Sequence, residues 1–180
     1  MKAAVIALAV LLLSSCSGGD SHPVPKRTAY PRTAVLPDSS VAVSAGPFSI
    51  NINVSATVSR PRPDWIDAEY RSLGATLHIS ATDHSDKADE TNRRERISLN
   101  LGGASASVRS FTSPSGYRCE IVTTAEGPAT PGQFIAVGDG QMLSGVFVLS
   151  GKTSPADSIR PIVYELEREA TSILSSIGAP

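Results

Sequence analysis

The sequence predicts an α+β fold: one domain, a largely antiparallel sheet of about 6–7 strands packed with two helices. Three observations predict it. Apolar and polar residues alternate from Phe48 to Val58. Two β-rich runs flank Gly138-Asp139-Gly140, a strong hairpin signal. The C-terminal stretch carries a wide apolar stripe at helical spacing.

Taken in order, Phe48, Ile50, Ile52, Val54, Ala56 and Val58 form one face of a strand, and "RPRP" at 60–63 then breaks the ladder. "WIDAEY" (65–70) and "GATLHISA" (74–81) read as two strands joined by a turn around Ser72-Leu73-Gly74. Alternation turns Ile66, Ala68, Tyr70, Leu77 and Ile79 inward, and Trp65, Asp67, Glu69 and His78 outward. The charge-rich segment after Asp83, with N-caps at Ser85 or Asp86, predicts a solvated helix over 87–100. "SVRSFTS" and "YRCEIVTT" are extended, and the Gly138 hairpin follows. Ile159, Ile162, Val163, Leu166, Ala170, Ile173, Leu174 and Ile177 define the last helix, capped by Asp157 or Ser158 and closed by Gly178. Its other side, with Glu165, Glu167, Arg168 and Glu169, reads as solvated.

The first fifteen residues have a different purpose. Lys2 precedes an apolar run, Ala3 to Leu13, which is shorter than the roughly 20 residues needed to span a bilayer. It has the length of a signal-peptide core, and small residues follow it. Leu13-Ser14-Ser15-Cys16 resembles a bacterial lipobox, in which the Cys16 thiol takes a diacylglycerol and becomes the new N-terminus after cleavage. Two or three acyl chains hold a protein on a membrane where one barely does. The expected organisation is a signal peptide at 1–15, lipidated Cys16 with a Gly/Ser/Pro tether at 16–27, and the domain at 28–178. Fully extended, the tether reaches up to about 40 Å from the lipid.

Sixteen basic and seventeen acidic residues leave a formal charge of −1, which argues against nucleic acid as a partner and supplies no polybasic membrane patch. Cys119 is the only cysteine in the exported part, and it shares a strand face with Tyr117 and Ile121 as a buried thiol. The three histidines are scattered: His22 in the tether, His78 on a strand, and His84 in a polar loop whose Asp83 and Asp86 lack a second ligand cluster. No hydrolase, metalloprotease or phosphate-loop motif is present. The reading is non-enzymatic: no catalytic residue, no cofactor and no metal site.

The order of motifs adds a resemblance. "PKRTAYPR" follows the tether, "GPFSI" opens a strand, and "WIDAEYRSLGATLHIS" precedes a polar helix. "TPGQFIAVGDGQMLSGVFVLSG" then runs into "PADSIRPIVYELEREATSIL". Together these resemble the gliding-motility lipoproteins of the GldD type, found in Bacteroidetes, over about residues 26–175. The resemblance implies an accessory lipoprotein of gliding motility and type IX secretion, anchored through Cys16, with envelope proteins as partners and no catalytic residues to carry over. A single acidic residue, Asp20, in the stretch just after Cys16 favours the periplasmic side over the cell surface. The "GPFSI" strand, antiparallel sheet and terminal helix are also similar to PsbP/Mog1-like α/β/α sandwiches.

Three functions follow as expectations. The first is protein contact through an exposed apolar or aromatic patch. The second is small-molecule or glycan binding in a concavity near Trp65 and the outward residues Asp67 and Glu69. The third, a hydrolase using Asp67 or Glu69, ranks last.

Overall fold

The computed structural model describes residues 35–83, 87–126, 129–150 and 156–178, with the side chains of 87–89 and 156–158 set aside. The expectations on Cys16, the tether, His22, His84 and the caps at Ser85, Asp86, Asp157 and Ser158 concern groups outside this set.

Five strands come first: β1 (Ser40–Ala45), β2 (Phe48–Asn53), β3 (Thr57–Arg62), β4 (Trp65–Tyr70) and β5 (Ala75–Asp83). Helix α1 (Lys87–Leu101) follows. Then come β6 (Ser107–Thr112), β7 (Arg118–Thr123), β8 (Gly132–Gly138), β9 (Gln141–Leu149) and helix α2 (Ala156–Ser175). Seven strands form one antiparallel sheet in the order β3-β4-β5-β9-β8-β7-β6, while β1 and β2 pair separately as a hairpin. The α+β class expected from the sequence is the one observed.

The alternation from Phe48 to Val58 is not one strand. It divides into β2 and β3 at a turn that Asn53 builds, its Oδ1 accepting the Ser55 N–H at 3.0 Å. Phe48, Ile50 and Ile52 keep their inward face in β2 and Val58 is half-buried in β3, but Val54, at the turn between them, is exposed rather than inward. β1, which the sequence reading passed over, pairs with β2 from Ser40↔Asn53 to Ala45↔Phe48. Nor does "RPRP" end the ladder: β3 continues to Arg62 with a register shift after Ser59, and Pro61 is tolerated because β3 is an edge strand.

One face of the large sheet carries the core. Ile66, Leu77, Ile79, Phe134, Phe147 and Ile121 are buried there with Phe48, Ile50 and Ile52 of β2 and with Leu166, Ala170, Ile173 and Leu174 of α2. Gly145, opposite Phe134 in the β8–β9 ladder, leaves the space that the Phe134 ring fills; a Cβ there would stand 2.2 Å from Phe134 Cζ. The β8–β9 turn places Asp139 and Gly140 at positive φ, 51° and 69°, which is the backbone of a two-residue primed hairpin turn.

The last helix departs from expectation on its polar side. Glu165 and Glu169 are buried, not solvated. Glu169 Oε1 accepts the Tyr70 hydroxyl at 2.6 Å and the Asn53 N–H at 2.9 Å. Glu165 Oε2 accepts the Leu36 N–H at 3.0 Å and Arg168 at 2.7 Å, and Arg168 also reaches Asp38 at 2.7 Å. These carboxylates fasten the segment before β1 and the end of β2 to the helix, which is why they turn inward. The helix ends at Ser175, so Gly178 does not close it. Gly178 instead exchanges two backbone hydrogen bonds with Ser49, at 2.9 and 3.0 Å.

Candidate functional site

The second face of the sheet is where the outward residues of β4 and β5 lie. Antiparallel partners point the same way, so the ladder lays out two rows. One runs Trp65, Ser80, Ser144, Ile135, and the other Asp67, His78, Val146, Gln133. Helix α1 lies over these rows. Between helix and sheet is a cleft of about 410 Å³. Trp65 and His78 line one end, Ile135, Ser144 and Val146 its floor, and Arg93, Arg96, Ile97 and Asn100 its roof. Its size falls in the range of small-molecule sites.

Asp67 organises the Trp65 end. Its Oδ1 accepts the indole N–H of Trp65 at 2.7 Å and meets His78 Nδ1 at 2.6 Å. Desolvation pushes the Asp67 carboxyl up, but the hydrogen bonds from His78 and Trp65 and the charge of His78 outweigh it and hold the group below its ordinary value. The bond at Nδ1 leaves His78 with Nε2 to offer. Trp65 lies 6.3 Å from His78, ring to ring, and the Arg62 guanidinium sits 5.4 Å over the indole. Across the floor, Ser80 and Ser144 share a hydrogen bond of 2.9 Å.

The roof is held by polar contacts. Among its described side chains, Glu90 to Leu101, none is buried. Arg94 bridges Glu120 and, at 3.1 Å, Glu90; Glu90 also pairs with Arg118 at 3.3 Å. Burial pushes the Glu90 carboxyl up, but Arg94 and Arg118 overcome this and lower it. At the other end Gln133, only 1% exposed, accepts from Asn100 at 2.8 Å and donates to the Ile97 carbonyl at 3.4 Å. A helix that is polar all round stays on a sheet through such bonds rather than through a packed apolar stripe.

Of the outward residues singled out by sequence, Trp65 and Asp67 come together with His78, Trp65 and His78 lining the cleft and Asp67 bonded to both. Glu69 does not join them; it is exposed and pairs with Arg71 at 3.4 Å. The two carboxylates therefore do not face one cleft, and Asp67 is shifted in the direction opposite to that of a general acid. Among the described residues no group of His, Cys, Asp and Glu gathers that could hold a metal, and no helix is long and apolar enough to cross a membrane. Sequence reasoning missed the roof and Gln133, Ser144 and Val146. The signal was in β8, whose run Gly132 to Val137 is buried on both faces; a strand apolar on both sides is covered on both sides.

No family model matches the chain, and no curated protein matches it. A crystal structure from Bacteroides thetaiotaomicron VPI-5482 is similar with a TM-score of 0.41 at 12% identity, over 78% of this chain and 48% of that one. The chain thus spans about half the length of that protein.

Proposed function

We propose that the chain is a lipid-anchored, non-enzymatic lipoprotein of the cell envelope, facing the periplasm, that serves gliding motility and type IX secretion as an accessory component and works by protein contact. Leu13-Ser14-Ser15-Cys16 supports the anchor, and the order of motifs supports the machinery. The observation that carries the contact reading is β6. It is an edge of the large sheet, five of its six residues are exposed, and Val108 is 60% exposed. The opposite edge, β3, is guarded by Pro61 and a register shift, whereas β6 contains no proline. An edge left unpaired among the described residues is of the kind that accepts an extended segment of another chain.

Two measurements test it. An alkyne-tagged palmitate should label the native protein in cells and not Cys16→Ala; an unlabelled native protein removes the anchor. A photo-crosslinker at Ser110 should join the chain to a discrete envelope protein of that machinery, with the adduct lost in Val108→Lys. An adduct that is absent, or indifferent to Val108→Lys, removes the contact reading.

A second reading, a small-molecule- or glycan-binding lipoprotein, is favoured by the cleft that gathers Trp65 and His78.

A further inference from the structure

We infer that the cleft under α1 takes a small anionic amphiphile, an acyl carboxylate whose chain lies on the sheet and whose head reaches Arg96. This rests on the small-molecule reading of the cleft and names its ligand class.

The body of the ligand follows from the walls. Ile135 and Val146 of the sheet, Ile97 of the helix and the Trp65 indole surround a trough of about 410 Å³. Water there makes few hydrogen bonds, so an acyl chain displaces it favourably, by about 0.8 kcal/mol per buried methylene. A glycan would leave most of its hydroxyls against carbon.

The charge of the head follows from the roof. Among the described residues the cleft lining contains Arg93, Arg96 and His78 and no carboxylate. Arg93 reaches Ser80 Oγ at 3.5 Å. Arg96 has no ion pair or hydrogen bond among the described residues, while Arg94, two positions earlier, is held by two glutamates. Arg93 and Arg96 also line an adjoining hollow with Thr82, Asp83 and Met142. There Thr82 Oγ1 is buried without a hydrogen-bond partner. An orphaned hydroxyl is a cost the fold carries until an acceptor arrives, and a carboxylate oxygen held by Arg96 is such an acceptor. Asp83, exposed on the same hollow, disfavours a more highly charged head.

Entry needs only the roof to lift. Its fastenings are ion pairs and amide hydrogen bonds around Glu90, Arg94 and Gln133, with none of its described side chains, Glu90 to Leu101, buried beneath.

Trp65 is the single tryptophan of the chain and a reporter for the site. The full-length Cys16→Ala chain is titrated with dodecanoate below its micelle concentration, following Trp65 emission and thermal unfolding. The expected result is saturable binding with a raised Tm. Dodecyltrimethylammonium should bind about tenfold or more weakly, as should dodecanoate to Arg96→Gln, because a charge-assisted pair is lost, and acetate should bind weakly because it has no chain to bury. Arg96→Gln removes no ion pair or hydrogen bond among the described residues, so its own Tm should stay close to that of the Cys16→Ala background. Ile97→Ser should weaken the chain's grip independently of the head. Equal binding of the cationic amphiphile, or an unchanged affinity in Arg96→Gln, overturns the proposal. So does a response to phosphatidylglycerol vesicles alone, which points to a membrane surface. If a neutral oligosaccharide shifts Trp65 and dodecanoate does not, the ligand class fails while the binding cleft stands; if neither does, the small-molecule reading itself fails.

Discussion

The ring of Phe134 occupies the place where a side chain on Gly145 would be, 2.2 Å from the Cβ that residue lacks. The two are direct partners in the β8–β9 ladder, and Phe134 continues edge-on to Phe147 at 6.4 Å. Both belong to the "GQF" and "LSG" motifs, so a motif that reads as composition is in fact one packing event.

Gly145→Ala should therefore destabilise the domain by about 1–3 kcal/mol, the usual penalty of overpacking. Phe134→Leu should recover part of that loss. Urea unfolding of the two single variants and the double variant measures the coupling; additive losses mean that the contact is relaxed elsewhere.

Glu169 supplies a pH dependence with a definite sign. Burial raises its carboxyl above the ordinary 4.5, against the opposing hydrogen bonds from Tyr70 and Asn53. A carboxyl raised on folding binds its proton more tightly in the folded state. Its contribution is complete below the unfolded value and is lost as pH climbs through the folded one. Glu169→Gln keeps an oxygen for both donors, so it should be at least as stable at pH 7 and should lack the gain on acidification toward pH 5. Tyr70→Phe should cost about 1–3 kcal/mol, since it strips a donor from a buried carboxylate. Chemical denaturation at several pH values tests both.

Asp67 has the opposite sign. Its carboxyl is held below the ordinary 3.8, so the stability it gives is present above that value and lost below it. The group is partly open to water, which limits the effect to under about 1 kcal/mol. Trp65 emission should shift as the pH falls below about 3.8, when the carboxylate that accepts the indole N–H loses its charge, and Asp67→Asn should abolish that step.

The fastenings of α1 are charged and close to solvent, so they weaken as salt rises. In about 1 M salt, amide exchange across Lys87–Leu101 should accelerate while β5 and β9 remain protected. Uniform acceleration over the whole chain means that the helix does not move separately.

Cys119 is buried, and desolvation pushes its thiol up to about 11 despite a backbone hydrogen bond at Ser113. In the Cys16→Ala chain a thiol reagent at pH 8 should react only as the domain unfolds, giving an unfolding rate without a spectroscopic label.

Much of this architecture was legible because alternation and helical spacing report burial directly. β4 has the bounds and facing that its sequence predicts, with Ile66, Ala68 and Tyr70 inward and Trp65, Asp67 and Glu69 outward. The division of 48–58 was not legible, because its turn is made by an Asn53 side chain while the period runs on undisturbed. Glu165 and Glu169 misled for a related reason: periodicity sorts residues by polarity, whereas these two are buried by partners more than a hundred positions away in sequence. At the site, facing was readable but its cover was not. α1 offers no apolar stripe, so only the two-sided character of β8 hinted at a second layer.

The pairing of Ser49 with Gly178 moors the first hairpin to the stretch after α2, and the Ser115 hydroxyl, donating to the Ile177 carbonyl, ties the β6–β7 turn to the same stretch. A ribosome releasing this chain from its N-terminus exposes β1 and β2 long before the partner that moors them has been made. That contact closes only once Gly178 has emerged, so the hairpin stays unmoored through the synthesis of everything between them.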